Sequence, residues 1–204
     1  MLVSLEFLQP GTARPARVAV FPGAYNPPTL AHVEIARAAS AWADEVVWVI
    51  PRAFPHKAFD GAPFAARCAM LAELTNAYPG FSAAIADGGL YAEMADEAQA
   101  HFGSAAEIAL VCGRDAAERI ETWDYGQPGF VDRMLERYRL LVATRGGEYA
   151  PPEKHRHRIT TLELEPAHNL ISSTEVRRRI EQGGNWRELV PPAIYDQVLA
   201  IYRP

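Results

Sequence analysis

The 204-residue chain has only two cysteines, Cys68 and Cys112. Two isolated thiols exclude a disulfide framework and fit no zinc-ligand spacing; both sit in apolar runs and read as small core residues. No stretch approaches the roughly 20 consecutive apolar residues of a membrane span. The opening residues lack a basic flank, and Glu6 interrupts their short apolar run, so no secretory leader is read there and the chain is expected in the cytoplasm, away from membranes. Positive charge is not in excess: 20 Lys and Arg stand against 25 Asp and Glu, a net charge of −5. That argues against a non-specific nucleic-acid binder, which needs a basic face, and leaves room for a local pocket for a small anion. Gly-x-x-x-x-Gly-Lys-Ser/Thr and Gly-x-Gly-x-x-Gly are both missing, so neither a Walker loop nor the dinucleotide fingerprint is available to hold phosphate. Repeats, low-complexity tracts and linkers are absent as well.

What is present suits a single α/β domain able to bury a core. Apolar residues make up 49% and charged residues 22%, ordinary for a globular protein. Short apolar runs at 17–21, 45–50, 81–86, 107–112 and 139–144 read as buried strands. Segments of helical period lie between them, at about 30–43, 64–74 and 91–102. The run 159–164 alternates and reads as a half-buried edge strand. This alternation predicts a Rossmann-like parallel sheet with helices on both faces, closed by short helices after Gly183-Gly184 that form a small C-terminal cap. Residues 1–16, with Pro10-Gly11 and Pro15, are read as an N-terminal extension or an added edge element, and 17–204 as the domain.

The stretch Val18 to His32 organises the rest. Val18–Phe21 is strand-like; Pro22-Gly23 stops it, and Pro27-Pro28 forbids helix before residue 29. From Leu30 the period is helical. Strand, tight loop and helix place a helix N-terminus at the carboxyl end of a strand, where open α/β sheets bind ligands. Free N–H groups and a partial positive charge there suit phosphate. Thr29 and His32 share the first helical turn and suit a catalytic pair; taken alone, they read rather as a helix cap and a half-buried histidine.

Three further stretches carry chemistry. Pro51 to Lys57 is a loop at a strand's carboxyl end, where His56 and Lys57 are candidates for anion contacts. Asp115, just past the strand 107–112, can accept ribose hydroxyls or cap the next helix. Ser172 and Glu175 fit a capping box, while Ser173 and Thr174 stand beside Arg177–Arg179, a grouping of hydroxyls, guanidinium and helix N–H groups suited to a polyphosphate. The run His155-Arg-His-Arg158 is expected to flank the following strand in solvent.

Gly23-Ala-Tyr-Asn-Pro-Pro-Thr-Leu-Ala-His32 resembles the Gly-x-Phe-(Asp/Asn)-Pro-x-(His/Thr)-x-x-His signature of the nucleotidyltransferase superfamily. Ile171-Ser-Ser-Thr-Glu-Val-Arg177 is similar to that superfamily's Ile-Ser-Ser/Ala-Thr-x-(Ile/Val)-Arg. With Gly113-Arg-Asp115, Thr122-Trp123 and the Pro55-His-Lys57 loop, the chain most resembles the nicotinate/nicotinamide mononucleotide adenylyltransferases over about residues 17–204. It departs in carrying Tyr25 for Phe, Thr29 for a first His, Arg114 for Ala, and Leu90-Tyr-Ala92 for a hydroxyl-rich cluster.

The resemblance implies transfer of AMP from ATP to nicotinate or nicotinamide mononucleotide, with release of pyrophosphate. It implies His32, Thr29 and Arg177 as catalytic residues. ATP is expected against Phe21, Gly23, Tyr25, Asn26, Gly113, Asp115, Ile171, Ser172, Ser173 and Thr174. The pyridine mononucleotide is expected against Pro55, His56, Lys57, Arg114 and Trp123. Magnesium is expected through the ATP phosphates, with few or no protein ligands of its own, and a homo-oligomer is compatible. Two other readings stand: a superfamily transferase acting on phosphopantetheine or using CTP, and a nucleotide sensor that keeps the fold without turnover.

Overall fold

The structure is a computed structural model describing residues 4–9, 11, 14–54, 61–144, 147, 149–165, 168 and 170–203. Its strands are β1 (Glu6–Phe7), β2 (Arg17–Pro22), β3 (Glu45–Pro51), β4 (Phe81–Ala86), β5 (Glu107–Gly113), β6 (Arg139–Ala143) and β7 (Ile159–Leu162). They form one sheet in the order β1-β4-β3-β2-β5-β6-β7. All pairs are parallel except β1, which adds antiparallel to the β4 edge with Glu6 opposite Ile85. From β2 the chain winds outward through β3 and β4, then returns to β5 on the other flank. The order therefore reverses between β2 and β5, the point where doubly wound sheets open a crevice at the carboxyl strand ends.

Both faces of the sheet are covered, which is why its strands are apolar nearly throughout. Alternation in β2 sends Ala19 and Phe21 to one core and Val18 and Val20 to the other. The first core is completed by α1 (Leu30–Ser40), α2 (Phe64–Asn76), α6 (Ser173–Glu181) and α7 (Tyr195–Tyr202), the second by α3 (Tyr91–Phe102), α4 (Arg114–Thr122) and α5 (Phe130–Arg137). Two 3-10 turns, Arg187–Leu189 and Pro192–Ile194, lead into α7 and bury Leu189 and Ile194 against the first core.

The structure corrects two local expectations. His155 is buried rather than solvated: it sits in a 3-10 helix, Glu153–Arg158, with Nε2 2.7 Å from Asp132 Oδ1 on α5. Lys154 and His155 together hold the Asp132 carboxyl below its ordinary range. The α4 cap is Gly113, not Asp115, which lies in the first turn.

Candidate active site

The crevice is built from the loop 23–28 after β2. Gly23 is required there because a Cβ would come within 2.7 Å of the Tyr25 ring. That ring is buried at 2% exposure, under the loop it belongs to, and its hydroxyl donates to the Phe21 carbonyl at 2.5 Å. Burial pushes the Tyr25 phenol well up, with Tyr91 adding to the effect, so the hydroxyl stays protonated. The loop then delivers Thr29 to the N-cap of α1 in extended backbone.

Thr29 is fully buried, and both its donors converge on His32. Its backbone N–H donates to Nδ1 at 3.1 Å, and Oγ1 lies 2.7 Å from the same nitrogen. A backbone N–H can only donate, so Nδ1 is the acceptor and the neutral ring carries its hydrogen on Nε2. Phe21 and Tyr25 flank the ring, with centroids 6.2 Å and 5.5 Å away. The first turn of α1 carries no acidic residue, leaving its positive end uncountered from within the helix.

The opening of α6 meets this same loop. Ser173 Oγ donates to the Pro27 carbonyl at 2.7 Å, and Arg177 Nη1 donates to the Asn26 carbonyl at 2.5 Å. Arg177 Nη2 also lies 3.4 Å from Thr174 Oγ1. Two helix openings separated by more than 140 residues of chain are thus adjacent. Ser172 caps α6 through Oγ, which accepts from the Glu175 N–H at 3.2 Å.

Only half of the expected capping box forms. The Glu175 carboxylate turns instead to Arg178 and Arg179, at 2.6 and 2.8 Å, and they hold its carboxyl at about 2. Successive helical residues point about 100° apart. Of the three arginines, Arg177 therefore reaches the loop, while Arg178 goes on to Gln182 and Arg179 to Asn185 and Glu188.

Several expected contact residues turn their side chains away from the crevice. Phe21, Tyr25 and Ile171 belong to the first core. Asn26 is buried, and its Oδ1 accepts from the Ala62 N–H and the Tyr202 hydroxyl. Phe21, Tyr25 and Ile171 thus have mainly main-chain atoms to offer a ligand, while Asn26 keeps its Nδ2 amide besides. Across the switch point, Gly113 ends β5, and a Cβ there would meet nothing within 4 Å among the described residues. Asp115 is 78% exposed. Arg114 lies against Gly147, beyond the end of β6, and 3.3 Å from Asp115. Trp123, just after α4, is 43% exposed beside a loop braced by stacking of Tyr125 on Phe130 at 4.2 Å. Pro55, His56 and Lys57 lie outside the described residues.

Sequence reasoning missed Arg67 and Tyr202. Arg67 is 4% exposed on α2, donating from Nε to the Ala62 carbonyl at 3.1 Å and from Nη1 to the Ala24 carbonyl at 2.9 Å. Burial lowers its pKa. The signal was visible: a charged residue on an otherwise apolar helix face, in line with Met70, Leu71 and Leu74.

The sheet order and the crevice at its reversal define a doubly wound α/β protein with a phosphate-suited site at two helix openings. The comparisons then give the family. The cytidylyltransferase-like family matches residues 20–179, and the chain belongs to it. Among similar proteins is the Probable nicotinate-nucleotide adenylyltransferase of Moorella thermoacetica, 29% identical, with 94% of each chain covered. The protein of the same name from Chromohalobacter salexigens is 28% identical, covering 92% of this chain and 95% of that one. The fold also matches the Plasmodium falciparum nicotinic acid mononucleotide adenylyltransferase complexed with NaAD, with a TM-score of 0.68, 16% identity, and coverage of 90% and 95%.

Proposed function

We propose that the protein is a nucleotidyltransferase that moves AMP from ATP to nicotinate mononucleotide and releases pyrophosphate. The observation that carries this reading is the meeting of α6 with the loop ahead of α1 through Ser173 and Arg177. One polyphosphate laid across both openings meets two sets of helix N–H groups, one imidazole and one guanidinium. The names of the similar proteins supply the acceptor.

The acceptor phosphate oxygen attacks the α-phosphorus in line. A new P–O bond forms to the mononucleotide, the bond to the bridging αβ oxygen breaks, and pyrophosphate leaves with that electron pair. The attacking oxygen is already anionic, so no general base is needed, and catalysis lies in positioning and charge neutralisation. His32 donates from Nε2 to the α-phosphate, and Thr29 fixes that tautomer. Arg177, Ser172 and Thr174 meet the β- and γ-phosphates. Asp115 accepts from ribose, and Trp123 stacks on the pyridine, with Arg114 at its margin. Among the described residues no three His, Cys, Asp or Glu side chains group to hold a metal. A magnesium ion would enter with the ATP triphosphate, where it would offset phosphate charge.

The test is pyrophosphate release from ATP and from CTP, each with nicotinate mononucleotide, nicotinamide mononucleotide and phosphopantetheine. Release with ATP and nicotinate mononucleotide is expected to dominate. Faster turnover of phosphopantetheine or CTP moves the protein to a sister activity, and ATP binding with no release in any pair makes it a sensor.

A further inference from the structure

We propose that Tyr202, near the end of the chain, is a positioning residue for the transfer step and acts through Asn26. The inference rests on the transferase reading above. Residues 27 and 28 are both proline and have no N–H to give, so the segment leading into Thr29 is anchored largely through its acceptors. Those acceptors are the Pro27 carbonyl, taken by Ser173, the Asn26 carbonyl, taken by Arg177, and Asn26 Oδ1. Oδ1 has two lone pairs. One receives the Ala62 N–H at 3.1 Å, and the other the Tyr202 hydroxyl at 2.5 Å.

Arg177 and Tyr202 therefore grip the same residue, one by its main chain and the other by its side chain. Asn26 is buried, and burial raises the Tyr202 phenol, which keeps it a donor across all working pH values. Tyr202 sits on α7, whose Val198 is packed into the first core, so the donor is fixed by the scaffold. Without it, Asn26 loses one of the bonds that set its orientation, and with Asn26 moves the carbonyl that aims Arg177. Small displacements of a positioned group cost turnover far more than binding.

The experiment is a double-mutant cycle read on pyrophosphate release with ATP and nicotinate mononucleotide. Tyr202→Phe keeps the ring and removes the donor. Its kcat is expected to fall about tenfold, with KM for ATP within about twofold, as suits loss of one buried hydrogen bond that matters in the transition state. Asn26→Ala falls at least as far. The double variant falls no further than Asn26→Ala alone, because Tyr202 then has nothing left to act on. In an Asn26→Asp background, which still offers an acceptor, Tyr202→Phe again costs about tenfold. Thermal unfolding of each variant checks that it folds; if Tyr202→Phe does not, the kcat of Asn26→Ala makes the same test from the acceptor side. Wild-type kcat in Tyr202→Phe, or losses that multiply in the double variant, overturn the inference and leave Tyr202 a packing residue. Absence of turnover in the wild-type protein overturns instead the reading on which it rests.

Discussion

Replacing His32 separates the two jobs that the geometry gives it. The imidazole accepts at Nδ1 from both donors of a fully buried threonine, which leaves its hydrogen on Nε2. His32→Ala removes the Nε2 donor, and losing one preorganised donor to a developing phosphate charge costs about 10²–10³ in kcat. It also strands the Thr29 N–H and hydroxyl, at about 1–3 kcal/mol. For a chain of this length each kcal/mol lowers Tm by about 2–4 °C. His32→Asn places an amide oxygen near the Nδ1 position and nothing at Nε2. The Asn variant should recover most of the lost Tm and none of the lost turnover. The assay pairs pyrophosphate release at saturating substrates with thermal unfolding of the same samples. An Ala variant that turns over like wild type, or an Asn variant that regains activity with stability, would refute the role assigned to Nε2.

Other expectations follow from single contacts. Gly23→Ala drives a methyl into the Tyr25 ring at 2.7 Å, a ring pinned by burial and by its bond to Phe21, and should cost about 1–3 kcal/mol in denaturant unfolding. Trp123→Ala removes an exposed stacking face worth about 1–3 kcal/mol, so KM for the pyridine mononucleotide should rise at least about fivefold while Tm holds. Glu175→Gln tests the arginine pair. Arg178 and Arg179 depress the Glu175 carboxyl from 4.5 to about 2, so its contribution is present above pH 4.5 and fades as pH falls toward 2. In acid unfolding titrations the gap between wild type and Glu175→Gln should close across that window; a gap that is flat with pH contradicts the pairing.

The strands and most helices were legible because each is a short apolar run punctuated by glycine or proline. Their parallel pairing followed from the alternation of the two patterns. Less legible was anything depending on which of several like residues turns inward. Arg177, Arg178 and Arg179 are adjacent letters, and only the helical rotation after Ser172 decides that the first faces the loop. Glu175 reads as a capping-box partner by spacing, yet two guanidinium groups outcompete a backbone N–H for its carboxylate. Helix α5 escaped notice because Phe130–Arg137 is short and its neighbouring loop is rich in glycine and proline. Strand β1 has two residues, too few to show a period. Nor did the signature show that Asn26 Oδ1 would be taken by Ala62 and Tyr202, partners 36 and 176 residues away.

The account stands on one triphosphate touching both helix openings. A crystal structure of the protein with a non-hydrolysable ATP analogue measures that directly. The expected result has His32 Nε2 within hydrogen-bond reach of an α-phosphate oxygen and the Arg177 guanidinium within reach of the β- or γ-phosphate of the same molecule. A triphosphate seated away from either group, on the outer flank of α4 or α5 for instance, would contradict it.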